Sequence, residues 1–302
     1  MTASTFTART PEDVLAVVPV ILGFVPHDSV AMLTFGAGHP FHARVDLPRG
    51  FAEMPEVVDA LLEPVLRHRV PQVLFVLYTA DVRLARRSAR CLAGAFERAA
   101  VEVLDVLRAD GERWWPVGDD GPGAPYDLSS HPFSARAVLE GRVTHGSRDE
   151  LRFSVAARPD QVARVVSALA GLSGDAPPPD RIGALVGRHV RDGTSPSDAD
   201  VALLLRALLD PHLRDAAWRG LDRTTARQHV AFWSDVVRRS PDPLVAAPAA
   251  LLGLAAWQAG HGALAWCAVD RCADVDAEHP LGVLVARVLA EAVPPEAWDE
   301  VR

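Results

Sequence analysis

The sequence predicts an α/β fold: an N-terminal mixed, largely parallel sheet with flanking helices, followed by an all-α C-terminal region. Three observations carry that expectation. Gln72-Val-Leu-Phe-Val-Leu-Tyr78 is almost continuously apolar, as a strand covered on both faces must be. Strand-like and helix-like runs alternate as far as about Val117, the order that right-handed βαβ crossovers use. From Arg181 onward only helical apolar periodicity is found. With 302 residues, 49% hydrophobic and 23% charged, the chain is globular in composition and long enough for one large or two modest domains.

Element by element, Thr10-Pro11-Glu12-Asp13 opens a helix, with Thr10 as N-cap, Pro11 at the first position and Asp13 closing a capping box. That helix stops near Leu22-Gly23. Val30–Phe35 and Phe41–Leu47 are β-favouring runs joined by Gly36-Ala-Gly-His-Pro40, which reads as a hairpin. Glu53–Arg69 is helical by periodicity, then comes the Gln72–Tyr78 strand and a helix from Asp81 to about Ala100. Val101–Arg108 is a further strand, turned back by Ala109-Asp-Gly111 into Glu112–Val117. The order is helix, then ββαβαββ. Crossover handedness makes the second, third and fourth strands parallel neighbours.

Residues 119–126 read as a loop, with helical segments after it near Ser134–Leu139 and Pro159–Leu172. The proline-rich stretch Ser173–Asp180 suggests a boundary, giving an α/β domain over 1–175 and an all-helical domain over 176–302. Within the latter, Leu252-Gly253-x2-Ala256 and Ala265-x3-Val269-x2-Cys272 follow tetratricopeptide spacing across 246–279. A single degenerate unit, with Ala249 at the tryptophan position, also reads as an ordinary helix pair packed on small residues.

Composition excludes several function classes. The chain has no lysine and no asparagine, so all 31 basic residues are arginine. Walker-type phosphate loops, protein-kinase chemistry and Schiff-base catalysis all need a lysine, and arginine cannot replace it as a nucleophile. Net charge is −8 with no basic stripe, so nucleic acid is not expected as a partner. No membrane association is expected either, because the longest apolar run, Val14–Val25, is broken by Pro19 and Gly23. Met1–Thr10 has no secretory pattern, and Cys91, Cys267 and Cys272 have no metal-ligand spacing, which together suggest a cytoplasmic protein. The zincin, nucleophile-elbow and dinucleotide motifs are absent, and no cofactor or metal is predicted.

Chemistry is expected where the strands end. If the first strand runs against the next three, Gly23-Phe-Val-Pro-His-Asp-Ser29 lies at the edge where the later strands finish, the usual ligand side of open α/β sheets. His27, Asp28, Asp46 and Asp81 are then candidate catalytic residues, and Ser29 and Thr79 candidate ligand contacts. Turn formation and helix capping account for the same residue types. Arg113-Trp114-Trp115-Pro116 and Pro125-Tyr126 form an aromatic patch beside a loop. Arg113, Trp115 and Tyr126 there are candidate ligand- or partner-binding residues, or else packing beneath that loop.

Several stretches resemble the family catalogued as domain of unknown function 4192, found in actinobacteria. They are Ala8–Asp13, Pro19-x2-Leu22-Gly23-Phe24-x-Pro26-x2-Ser29, Gly141-Arg-Val143, Ser147–Leu151, and Ala255-Ala-Trp-Gln-Ala-Gly260 with Gly262-Ala-Leu-Ala-Trp266. The resemblance spans essentially the whole chain but brings no established activity with it. Members often follow the Arg-Trp-Trp strand with cysteines. Here Pro116–Gly123 contains none, so chemistry that depends on them is not expected.

Function is therefore unknown from sequence. The leading expectation is a non-enzymatic cytoplasmic binding protein with a site on the α/β domain for a small molecule or protein partner. The alternative is a hydrolase or transferase for a small metabolite, with His27 as general base, Asp28 orienting it, and Asp46 and Asp81 contacting substrate or metal.

Overall fold

The computed structural model describes residues 7–39, 41–174 and 177–298. Residues 1–6 of the polar N-terminus, Pro40 of the expected hairpin turn, and Asp175 and Ala176 of the expected connector lie outside the described residues. The chain divides into two compact units between Arg148 and Asp149.

In the first unit, α1 (Pro11–Leu22) begins with the expected capping box: Thr10 Oγ1 accepts from Asp13 N at 3.2 Å and Asp13 Oδ2 from Thr10 N at 3.1 Å. Gly23 ends it at φ 77°, a left-handed conformation that glycine adopts without a Cβ clash. The chain continues through β1 (Ser29–Phe35), β2 (His42–Asp46), α2 (Met54–Arg67), β3 (Gln72–Tyr78), α3 (Val82–Arg98), β4 (Glu102–Ala109) and β5 (Arg113–Pro116). Two residues of the expected loop then pair as β6 (Ala124–Pro125), and α4 (Pro132–Leu139) follows.

The six strands form one mixed sheet in the order β2-β1-β3-β4-β5-β6. This corrects the expectation of three parallel neighbours. β2, β3 and β4 do run the same way, but β1 lies between β2 and β3 and pairs antiparallel with both, so only β3 and β4 form a parallel pair. The reason lies in the side chains. Ser-Val-Ala-Met-Leu-Thr-Phe in β1 is buried almost throughout and suits a central strand, whereas His42, Arg44 and Asp46 alternate with apolar residues in β2 and suit an edge.

Each strand face has its own cover. Val30, Met32, Val73, Phe75 and Leu77 pack with Val57, Leu61 and Val65 of α2 and Leu92 and Phe96 of α3. On the opposite face Ala31, Leu33, Leu74, Val76 and Tyr78 pack with Val14, Leu15 and Val18 of α1. Period-two alternation of the strands produces this division.

The second unit's α-helices are α5 (Arg148–Phe153, crossing the division), α6 (Pro159–Ala170), α7 (Pro179–Asp192), α8 (Asp198–Ala207), α9 (Pro211–Trp218), α10 (Ala226–Arg239), α11 (Ala246–Gln258), α12 (Gly262–Ala273) and α13 (Pro280–Ala290), and among its described residues no strand is found. The division falls earlier than the proline-rich stretch because α6 packs against α8 and α10, with Arg158 N bonded to Arg238 O at 2.8 Å. α11 packs on α12 and α13 through small residues. A Cβ at Gly253 would lie 3.3 Å from Val285 Cγ1 and 3.6 Å from Ala265 O. Among the described residues no helix is long and apolar enough to cross a membrane.

Candidate functional site

Strand register brings one start and three ends to the same sheet edge. Ser29 pairs with both Asp46 and Tyr78, and Tyr78 pairs in turn with Ala109. The turn before β1 is thus at the end of the sheet where β2, β3 and β4 finish. Asp28 holds a positive φ of 42° there, which aspartate tolerates better than most residues, and its carbonyl accepts from Leu47 N at 2.8 Å.

At the β2 side of this edge, Arg44 Nη2 donates to the His27 carbonyl at 3.2 Å and contacts Asp46 Oδ1 at 2.6 Å. Arg148 reaches the other Asp46 oxygen at 3.8 Å. His27, Asp28 and Asp46 are therefore neighbours, but through the backbone and Arg44. Among the described residues no hydrogen bond joins the His27 ring to either carboxylate. Asp81 is engaged elsewhere. Its Oδ1 accepts from Arg83 N and Leu84 N at 2.8 and 3.0 Å and caps α3, as its position ahead of a helix allows. Thr79 is buried, and its Oγ1 accepts from Asp81 N at 3.1 Å. Among the described residues no three His, Cys, Asp or Glu side chains are grouped to hold a metal ion.

The five candidate binding residues do not form one patch. Ser29 shares the α1 face of the sheet with its pairing partner Tyr78, and Tyr126 packs against the same core. Both phenols are pushed above their ordinary pKa, chiefly by burial. Ser29 Oγ, Tyr78 Oη and Arg44 Nε are buried here without a hydrogen-bond partner among the described residues. Arg113 and Trp115, two residues apart on β5, project from the other face. Trp115 is not the exposed ring that a surface hot spot would present: it is 8% exposed and lies beneath the 119–123 loop. Its Nε1 donates to Gly121 O at 2.9 Å, and Arg113 Nη1 holds the Pro122 and Gly123 carbonyls at 3.0 and 2.9 Å. Trp114, on the α1 side, donates to Glu12 Oε1 at 3.1 Å.

Beneath that loop lies a residue the sequence did not single out. Arg108, paired across β4 and β5 with Trp115, is only 8% exposed, and its guanidinium carbon stands 3.6 Å from the Trp115 ring centre. Nη1 reaches Thr79 O at 3.5 Å, and no carboxylate lies within 4 Å of the guanidinium among the described residues. Burial lowers its pKa. Asp110 opposes that effect, and nearby Arg86 adds to it. Arginine nevertheless remains charged. Arg86, projecting from α3, is ion-paired with Asp120 of the loop. The available signal was a lone arginine ending an otherwise half-apolar strand and placed opposite a tryptophan. It reads in sequence as an ordinary surface charge until the register is known.

Gly123 lets the loop lie flat on the indole. Its φ is 71°, and a Cβ would stand 2.3 Å from Trp115 Cε2. Gly123→Ala is expected to lower stability by about 1–3 kcal/mol, from overpacking with added backbone strain. A urea melt showing no change would mean the loop does not rest on Trp115.

The arrangement can bind an anion: a desolvated, pre-stacked guanidinium and a second one nearby, at the carboxyl ends of a parallel strand pair. No curated protein and no solved structure matches the chain. The family model described as Domain of unknown function (DUF4192) matches residues 11–296, and the chain belongs to that family.

Proposed function

We propose that the protein is a non-enzymatic, cytoplasmic binding protein whose α/β unit takes a small carboxylate- or phosphate-bearing ligand between Arg108 and Arg86. The observation that supports it is the Arg108 guanidinium, largely buried with no carboxylate within 4 Å among the described residues. Placing a cation in such surroundings is costly unless an anion joins it. The cation–π contact with Trp115 offsets part of that cost and holds the planar fork in one orientation, leaving donors for a bidentate partner.

Asp120 acts as an internal stand-in. Its pairing with Arg86 is exposed, with 79% and 38% of the two side chains accessible, so the ion pair is weak and can be exchanged for a ligand oxygen. The free thiols at Cys91, Cys267 and Cys272 suit a reducing compartment.

The test is calorimetric titration with inorganic phosphate and with succinate at low salt. Arg108→Gln should weaken binding at least about tenfold, the loss of a charge-assisted contact. Asp120→Ala should tighten it about 1.5- to 5-fold, because the competing ion pair is gone. An unchanged affinity in Arg108→Gln, or weaker binding in Asp120→Ala, would refute the proposal.

A further inference from the structure

The helical unit carries a groove lined by arginines. Between α7 and α8 lies a groove of about 440 Å³. That size is within the range of small-molecule sites. One side of it is arginine: Arg181, Arg188 and Arg191 project from the same side of α7. None of the three has a carboxylate within 4 Å among the described residues, although the chain as a whole carries a net charge of −8. Gly187 leaves space for the Arg191 side chain to lie back along the helix, since a Cβ there would stand 3.1 Å from Arg191 Nη1.

The floor is apolar, formed by Leu185 and Leu203. One carboxylate, Asp200, belongs to the wall, and its Oδ2 oxygen is engaged by neighbouring donors. Oδ2 accepts from Ser197 Oγ at 2.8 Å and Ser197 N at 3.3 Å, closing the α8 capping box, and lies 3.7 Å from His189 Nε2. His189 in turn is held by Thr194 Oγ1 at 2.8 Å. Arg188 Nη2 sits 3.4 Å from His189 Nε2, at the edge of the groove.

Spacing defines the ligand. Arg191 lies back against Gly187 and Arg188 stands beside His189, so their guanidiniums sit about six residues from Arg181, roughly 9 Å along the helix axis. The groove thus has two cationic poles with leucines between them. From this geometry we infer that it binds a small elongated polyanion, with phosphoryl or carboxylate groups at both ends and an apolar middle. Among the described residues no aromatic side chain lines the groove, so recognition does not depend on stacking a ring. This groove belongs to the helical unit and shares no residue with the Arg108 site.

The test is calorimetric titration of the full chain with inorganic tripolyphosphate and, separately, with suberate, an eight-carbon dicarboxylate. In the Arg108→Gln background, where the first site is disabled, saturable one-to-one binding of suberate is expected, weakened at least tenfold when Arg181→Gln/Arg188→Gln is added. Suberate binding supports carboxylate ends with an apolar middle, and tripolyphosphate binding without suberate would overturn the apolar middle. The three arginines are exposed, so the double variant should melt like the parent, and an unaltered melt shows that lost binding is local. Failure of suberate to saturate in that background, or binding untouched by the added double change, would each overturn the inference.

Discussion

Trp115→Ala is expected to lower the unfolding free energy of the α/β unit by about 3–5 kcal/mol, the range for deleting a buried aromatic ring. Three losses coincide at this one position. The indole fills space beneath the 119–123 loop, donates to Gly121 O, and presents its face to Arg108 at 3.6 Å. Truncation leaves a cavity, an unpaired loop carbonyl and a buried guanidinium without its stacking partner, so the costs reinforce one another. Trp115→Phe keeps a ring face for Arg108 while losing the Nε1 donor, and should cost about 1–2 kcal/mol. Urea unfolding followed by far-UV circular dichroism separates the two. A loss below about 1 kcal/mol for the alanine variant would show that the loop and Arg108 are held without Trp115.

Acid should destabilise the helical unit well before its carboxylates titrate. His229 on α10 is 2% exposed, its Nδ1 is unpartnered among the described residues, and burial lowers its pKa from 6.5 to about 4, against smaller opposing contributions from Gly220 and Asp222. A folded pKa below the unfolded value means the folded state prefers the neutral ring. Its stabilising contribution is complete above about pH 6.5 and is lost as the pH falls through about 4. The loss by pH 4 amounts to about 3 kcal/mol. His279, also held low by burial first and by Arg214 second, loses its contribution in the same direction. Urea midpoints measured between pH 7 and pH 4 should fall steeply for the parent and less steeply for His229→Leu. Equal slopes would mean that His229 is not buried as the neutral ring.

Much of this molecule is legible in its residues. Thr10, Pro11 and Asp13 specify the start of α1 with local chemistry alone, and the Gln72–Tyr78 run announces a strand covered on both faces. The shared edge follows from strand direction, which chain order and crossover handedness constrain. Insertion of β1 between β2 and β3 was less accessible, because sheet order depends on long-range pairing. Even so, the polar alternation of His42, Arg44 and Asp46 marked β2 as the edge strand. Sequence reasoning placed His27, Asp28, Ser29, Asp46 and Thr79 at the correct end of the sheet. It could not tell that Arg44 would bridge His27 and Asp46, or that Asp81 would be taken up as a cap. Nor could it foresee that the sheet would put Ser29 and Tyr126 on one side and Arg113 and Trp115 on the other. Arg108 escaped notice because its significance lies in its burial against Trp115 with no carboxylate in contact, which is visible only once neighbours from distant segments are in place.

Side-chain NMR of 15N-arginine-labelled protein reports on Arg108 most directly, with its Nε–Hε signal assigned by its disappearance in Arg108→Gln. Stacking on Trp115 should displace that signal from the other arginines, and adding phosphate or succinate should move it together with that of Arg86, saturating at the calorimetric affinity. An Arg108 signal that stays fixed through the titration, while surface arginines shift in proportion to added salt, would contradict an anion site beneath the 119–123 loop.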